Sequence, residues 1–146
     1  MSDDPLTALE NRLDHRFTDR GLLELALTHA SVAGAGRSNE RLEFLGDRVL
    51  GLVVAEMLYT RFPDEPEGAL ARRLAALVRR ETLAEVARGL GLDDRITLAR
   101  GESGGQGRSN PAILADVCEA VLGALHLDGG LAPAERLIRA LWSPLM

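Results

Sequence analysis

Lysine is absent from this chain: all 17 of its basic residues are arginine. Aromatic residues are scarce, with three Phe, one Tyr and one Trp, which argues against a nucleic-acid reader built on stacked bases. A single cysteine, Cys118, excludes an internal disulfide framework and a thiolate metal centre. No apolar run reaches the roughly 18 residues that a membrane span needs. The acidic N-terminus, MSDDPLTALE, lacks the basic-then-apolar order of a signal peptide. These absences point away from a membrane partner and toward a cytoplasmic, reducing environment.

What is present fits one ordinary globular domain spanning residues 1–146, with 46% hydrophobic and 27% charged residues. The net charge of −5 is unfavourable for a nucleic-acid partner if it is spread evenly. It is not spread evenly, because five of the acids fall in two clusters. The exclusive use of arginine suits phosphate and carboxylate forks, although a coding bias accounts for it more simply.

The chain reads as all-α. Thr7 to Leu13 forms a short first helix, and HRFTDR turns the chain. Asp19 caps a second helix running to about Ala30. VAGAGRS (32–38) is a glycine-rich loop, after which Ser38 or Asn39 caps a long helix ending near Phe62. Leu42, Leu45, Val49, Leu52 and Val53 line one face of that helix, and Leu50, Val54, Met57 and Leu58 fill out its second half. A helix apolar all round is expected to be central and buried. PDEPEG (63–68) is a turn, and ALARRLAALVRR (69–80) and residues 81–90 are further helices, the last ended by Gly91. RGESGGQGRSN (100–110) is a loop. Pro111 opens a helix to about 127, and a final helix covers about 132–142.

The acids sit on two of these helices. Glu40, Glu43 and Asp47 in NERLEFLGDRVLG (39–51) fall at i, i+3 and i+7, sharing an arc of roughly 60° at about 100° per residue. Asp116 and Glu119 in ADVCEAVLGALHLDGG (115–130) repeat the i, i+3 spacing. The surrounding Leu42, Phe44, Leu45, Val117, Val121 and Leu122 are core-like, so an exposed acidic face does not explain the pattern. Carboxylates in such surroundings are costly unless offset, and no His or Lys adjoins them. A helix dipole explains Glu40 but not the acids further in. Paired carboxylates from two facing helices are one way to build a metal site in a bundle. An all-oxygen set favours magnesium over zinc or iron, and such an ion without a phosphate loop points to phosphoryl chemistry. His29, Cys118 and Trp142 read as structural.

NERLEFLGDRVLG closely resembles the signature of the ribonuclease III endonuclease domain. LTHAS (27–31), RFPDEPEG (61–68), LARRLAALVRRETLAEVARGLGL (70–92) and SNPAILADVCEAVLGALHLDGG (109–130) are similar to further family segments in the same order. The resemblance spans nearly the whole chain. It implies a homodimeric helical fold and a magnesium-dependent endoribonuclease, with manganese as a substitute ion and no organic cofactor. Its substrate would be double-stranded RNA, cut to 5′-phosphate and 3′-hydroxyl ends with two-nucleotide 3′ overhangs during processing of ribosomal RNA precursors and other structured transcripts. By the same resemblance Glu43, Asp47, Asp116 and Glu119 form the metal site, with Asp47 and Glu119 catalytic and Glu119 most directly on the ion. Glu40, Glu67 and Asn39 match positions lining the cleavage valley. Phe44 matches a position packed across the dimer interface. Arg72, Arg73, Arg79, Arg80, Arg100 and Arg108 are candidate phosphate contacts.

Bacterial members usually continue into a linker and a double-stranded-RNA-binding domain, which this sequence lacks. It is expected to be an excised catalytic domain rather than a naturally short member, binding RNA weakly and with strong salt dependence. The alternatives are a catalytically silent RNA-binding or dimerisation module of the same fold, and a hydrolase of small phosphorylated molecules. The intact acid set and the family motifs count against them.

Overall fold

The computed structural model describes residues 4–29, 38–96 and 109–146, and within them the regular structure is helical. Asp4 accepts a hydrogen bond from the Leu6 N–H at 3.0 Å, and Pro5 takes the first helical position of α1 (Pro5–Leu13), two residues earlier than expected. Asp19 caps α2 (Arg20–Ala26) through the Gly21 N–H, as its sequence suggested, but α2 stops four residues short of Ala30. The long acidic helix α3 runs Glu40–Arg61, followed by α4 (Glu67–Leu77) and α5 (Arg80–Gly89). Gly91, at φ +76°, takes the left-handed conformation that ends α5, and a 3-10 turn follows at Leu92–Asp94. Asn110 caps α6 (Pro111–Gly129) through the Ala112 N–H at 2.8 Å, and α7 (Leu131–Trp142) closes the fold. The expected glycine-rich loops at 32–38 and 100–110 lie almost wholly outside the described residues.

The expected cap of α3 takes a different form. Asn39 is buried and its side-chain amide donates to the Ala26 carbonyl at 2.9 Å, so it ties the end of α2 to the start of α3 and caps nothing. Ser38 Oγ accepts a long contact of 3.4 Å from the Glu40 N–H.

The central helix is α6, not α3. Every α6 residue from Ile113 to Leu125 is buried except Asp116. Its neighbours are α3, α5, α7 and α2, with α3 making the largest contact. By contrast α3 leaves Phe44, Leu52 and Tyr59 at 63%, 61% and 75% exposure. Those three fall within an arc of roughly 80° at about 100° per residue, so α3 has an uncovered apolar side. The expectation that Leu52 joins the buried stripe fails for this reason. Trp142 is fully buried, its indole N–H donating to the Leu77 carbonyl at 2.8 Å. Asp128, near the end of α6, accepts from the Thr18 and Asp19 N–H groups and meets His15 Nε2 at 2.8 Å, pinning the α1–α2 turn to the central helix.

Two glycines set how α3 and α6 cross. A side-chain carbon on Gly46 would run into the Glu119 carbonyl oxygen, and one on Gly123 into the carbonyl oxygen of Leu42. Each helix therefore lies against the other's backbone where a side chain would force them apart. Gly46→Ala is expected to destabilise the fold by about 3 kcal/mol or more in urea unfolding, because the obstacle is main chain that cannot rotate away. Gly51, also mid-helix, has nothing within 4 Å of the added carbon. Gly51→Ala should instead stabilise by about 0.5–1 kcal/mol through helix propensity.

Candidate metal centre

The glycine crossing brings the two acidic segments face to face. Glu43 of α3 meets Asp116 of α6, and Asp47 of α3 meets Glu119 of α6, so the four acids form two carboxyl pairs across the crossing. One carboxylate oxygen from each of Glu43, Asp116 and Glu119 lies within 4.8 Å of the others. Opposite oxygens around an octahedral magnesium ion are about 4.2 Å apart, so the three could hold one ion after small side-chain rotations. The donor set is all carboxylate, which suits a hard cation.

The four acids are not equivalent. Glu119 is 9% exposed, Glu43 and Asp116 are half-buried, and the Asp47 side chain is 44% exposed. Burial, then the hydrogen bond and charge of Asp47, push the Glu119 carboxyl up to about 9. Burial, then Asp116, push Glu43 up to about 7. Asp47 lies outside the three-residue cluster and accepts a 2.6 Å bond from Arg48 Nη1. An open cavity of about 420 Å³ lies over the acids, lined by Glu40, Glu43, Phe44, Asp47, Arg48 and Glu119.

The remaining expected residues fall elsewhere. Glu40 lines this cavity, but Asn39 is committed to Ala26. Glu67, at the first position of α4, lines a separate depression with Ala55, Leu58, Tyr59 and Leu70. Cys118 is buried, and desolvation pushes its thiol up to about 12, which fits an inert packing role. Among the arginines expected to meet phosphate, Arg73 makes two 2.7 Å bonds to Glu65 and stacks 3.7 Å from the Phe62 ring centroid. Arg72, Arg79 and Arg80 are exposed, and Arg100 and Arg108 lie outside the described residues.

Three positioning residues went unnoticed in the sequence. Gly46 and Gly123 are isolated glycines inside strong helical patterns, where each costs about 1 kcal/mol relative to Ala; that mismatch was the available signal. Arg48 follows Asp47 directly in sequence, a cation beside the acids that the absence of His and Lys does not cover.

A model of the family described as Ribonuclease-III-like matches residues 19–145. Ribonuclease 3 of Methylocella silvestris is 55% identical over 143 residues, covering 97% of this chain and 60% of that protein. Ribonuclease 3 of Streptomyces coelicolor is 52% identical over 143 residues, covering 96% and 51%. The chain thus spans roughly half to three-fifths of the length of these curated relatives. Among solved structures, the nuclease domain of ribonuclease III from Campylobacter jejuni superposes with a TM-score of 0.88 at 42% identity, over 94% of this chain and 99% of that one. It is described as showing structural flexibility in the region of dimer formation. Dicer from Pichia stipitis gives 0.67 at 29% identity, over 89% and 56%.

Raised carboxyl values carry a defined sign. Their stabilising contribution is full below the ordinary carboxyl range and is lost as pH rises through about 7 for Glu43 and about 9 for Glu119. In chelator, thermal unfolding should show the chain weakening between pH 5 and pH 9. Glu119→Gln should be more stable than the parent at pH 9 by about 1–3 kcal/mol, since it removes a poorly solvated charge. Added magnesium should raise the parent Tm, increasingly so toward high pH, and leave the variant unmoved.

Proposed function

The chain belongs to the ribonuclease III family, and on that premise we propose that it is the catalytic domain of a cytoplasmic, magnesium-dependent endoribonuclease acting on double-stranded RNA. The observation that carries this reading is the cross-helix meeting of Glu43 with Asp116 and Asp47 with Glu119, buried on one side and open to a cavity on the other. Manganese is the expected substitute ion. Ribosomal RNA precursors and other structured transcripts are the substrates that the family membership favours.

Glu43, Asp116 and Glu119 would hold the ion, with Asp47 at the rim. When bound, the ion supplies charge stabilisation for the phosphodiester and activates water for attack. The residues themselves do the rest. Burial of Glu119 keeps its carboxylate poorly solvated and thus strongly attracted to a cation. Burial favours the protonated form of Glu119, so its carboxyl would have to lose that proton before it could hold a cation. Asp47 is the more solvent-facing of its pair and lines the cavity, which supports a role in accepting a proton from water there. In the net reaction water adds to phosphorus and the bond from phosphorus to the 3′ oxygen breaks. One fragment carries a 5′-phosphate and the other a 3′-hydroxyl.

The same reading assigns Phe44, Leu52 and Tyr59 to a two-fold interface between copies, in keeping with the dimer described for the C. jejuni domain. Two sites on one dimer would cut the two strands of a duplex with a stagger, giving two-nucleotide 3′ overhangs. Glu67 lies beside Tyr59 and away from the acids of its own chain, so a place in the cleavage valley requires the second copy.

An end-labelled RNA duplex incubated with magnesium at low salt tests the activity. The parent should give staggered 5′-phosphate products, and Glu119→Gln should lower the rate by about 10³-fold or more. An intact, folded parent that leaves the duplex whole even with manganese would leave a silent binding module. Light scattering tests the dimer: the parent should run at twice the chain mass, and Phe44→Asp, which puts a charge into the contact, should shift low-micromolar protein to monomer.

A further inference from the structure

The cavity over the acids is lined by one cation among the described residues, Arg48. It follows Asp47 directly in α3, where successive side chains point about 100° apart. Its guanidinium nevertheless curls back to donate from Nη1 to Asp47 Oδ2 at 2.6 Å, and its Cζ stands 4.8 Å from the Phe44 ring centroid. One of its five N–H donors is used in this way. The side chain is 65% exposed and its partner 44%, so the pair contributes little to holding the fold.

The acids that attract a cation also repel a phosphodiester. A bound divalent ion offsets part of that charge, and a fixed positive group at the rim offsets more. We propose that Arg48 is a phosphate-binding residue of this site. The donor edge of its guanidinium that Asp47 does not use receives a non-bridging oxygen of the RNA backbone at the cavity mouth. Asp47 on one side holds the group in position. The planar fork is suited to this double duty, since it serves a carboxylate and a phosphate at once where an ammonium has no fixed second edge. The assignment rests on the nuclease reading above and adds to it a residue that the two carboxyl pairs do not include.

Arg48→Ala and Arg48→Lys test it, with binding of a fluorescent RNA duplex followed by anisotropy in calcium across a salt series. Arg48→Ala should bind about tenfold more weakly, and its log–log salt slope should be smaller by about one per occupied site. Arg48→Lys should recover the slope but only part of the affinity. A residue that merely supports the helix would lower affinity without touching the slope. Unchanged affinity and slope in Arg48→Ala would overturn the proposal. So would a loss accompanied by a shift to monomer in light scattering, which would place Arg48 in a subunit contact. Cleavage by the parent, abolished by Glu119→Gln, is the separate readout of the nuclease reading. If the parent cleaves while Arg48→Ala binds as the parent does, only the Arg48 assignment falls.

Discussion

The structure depends on one close approach, that of α3 and α6 at Gly46 and Gly123. Each glycine leaves room for a backbone carbonyl of the opposite helix, Glu119 for Gly46 and Leu42 for Gly123. Close-packed interiors transmit such constraints, because no void is available to absorb a displaced helix. Gly46 lies between Glu43 and Asp47, and Gly123 one turn beyond Glu119. The spacing that brings the backbones together is therefore also the spacing that brings the carboxylates together. With any side chain at either glycine the helices would stand further apart and the carboxyl pairs would separate.

The acids held this way work against the fold. Two of them sit in surroundings that raise their carboxyl groups to about 7 and about 9, a sign that their charged forms are poorly accommodated. A core helix carrying Asp116 and Glu119 in place of apolar residues gives up packing for a carboxylate cluster that could hold a cation. The rest of α6 offsets the loss by burying nearly every other position from Ile113 to Leu125. Asp128 locks its far end to the α1–α2 turn, and Trp142 ties the end of α7 to α4. Charge at the cavity mouth is balanced locally by Arg48.

Most of this was legible in the residues themselves. The helical period, Asp19 as a cap, Pro111 as a first helical residue and Gly91 as a terminator are local signals, and local physics decided them. The i, i+3 acids on two apolar helices pointed to a shared site because burial of unpaired charge is so unfavourable. What was not legible depended on docking. That α6 rather than α3 is central follows from which apolar faces find partners, and α3 keeps Phe44, Leu52 and Tyr59 uncovered. Asn39 looked like a cap until the end of α2 arrived beside it. Glu67, expected in the turn at 63–68, instead opens α4 and lines a different depression. Asp47 and Glu119 became a pair only through the glycine crossing, which involves residues 77 positions apart in sequence.

A divalent-cation site built by this crossing for RNA cleavage should be directly visible. Crystals of the chain soaked in manganese, with anomalous differences measured at the manganese edge, test it most directly. The expected result is a peak beside Glu43, Asp116 and Glu119 at the floor of the cavity, absent in Glu119→Gln crystals. No peak there, from protein that still cuts duplex RNA with manganese in the same buffer, would contradict it.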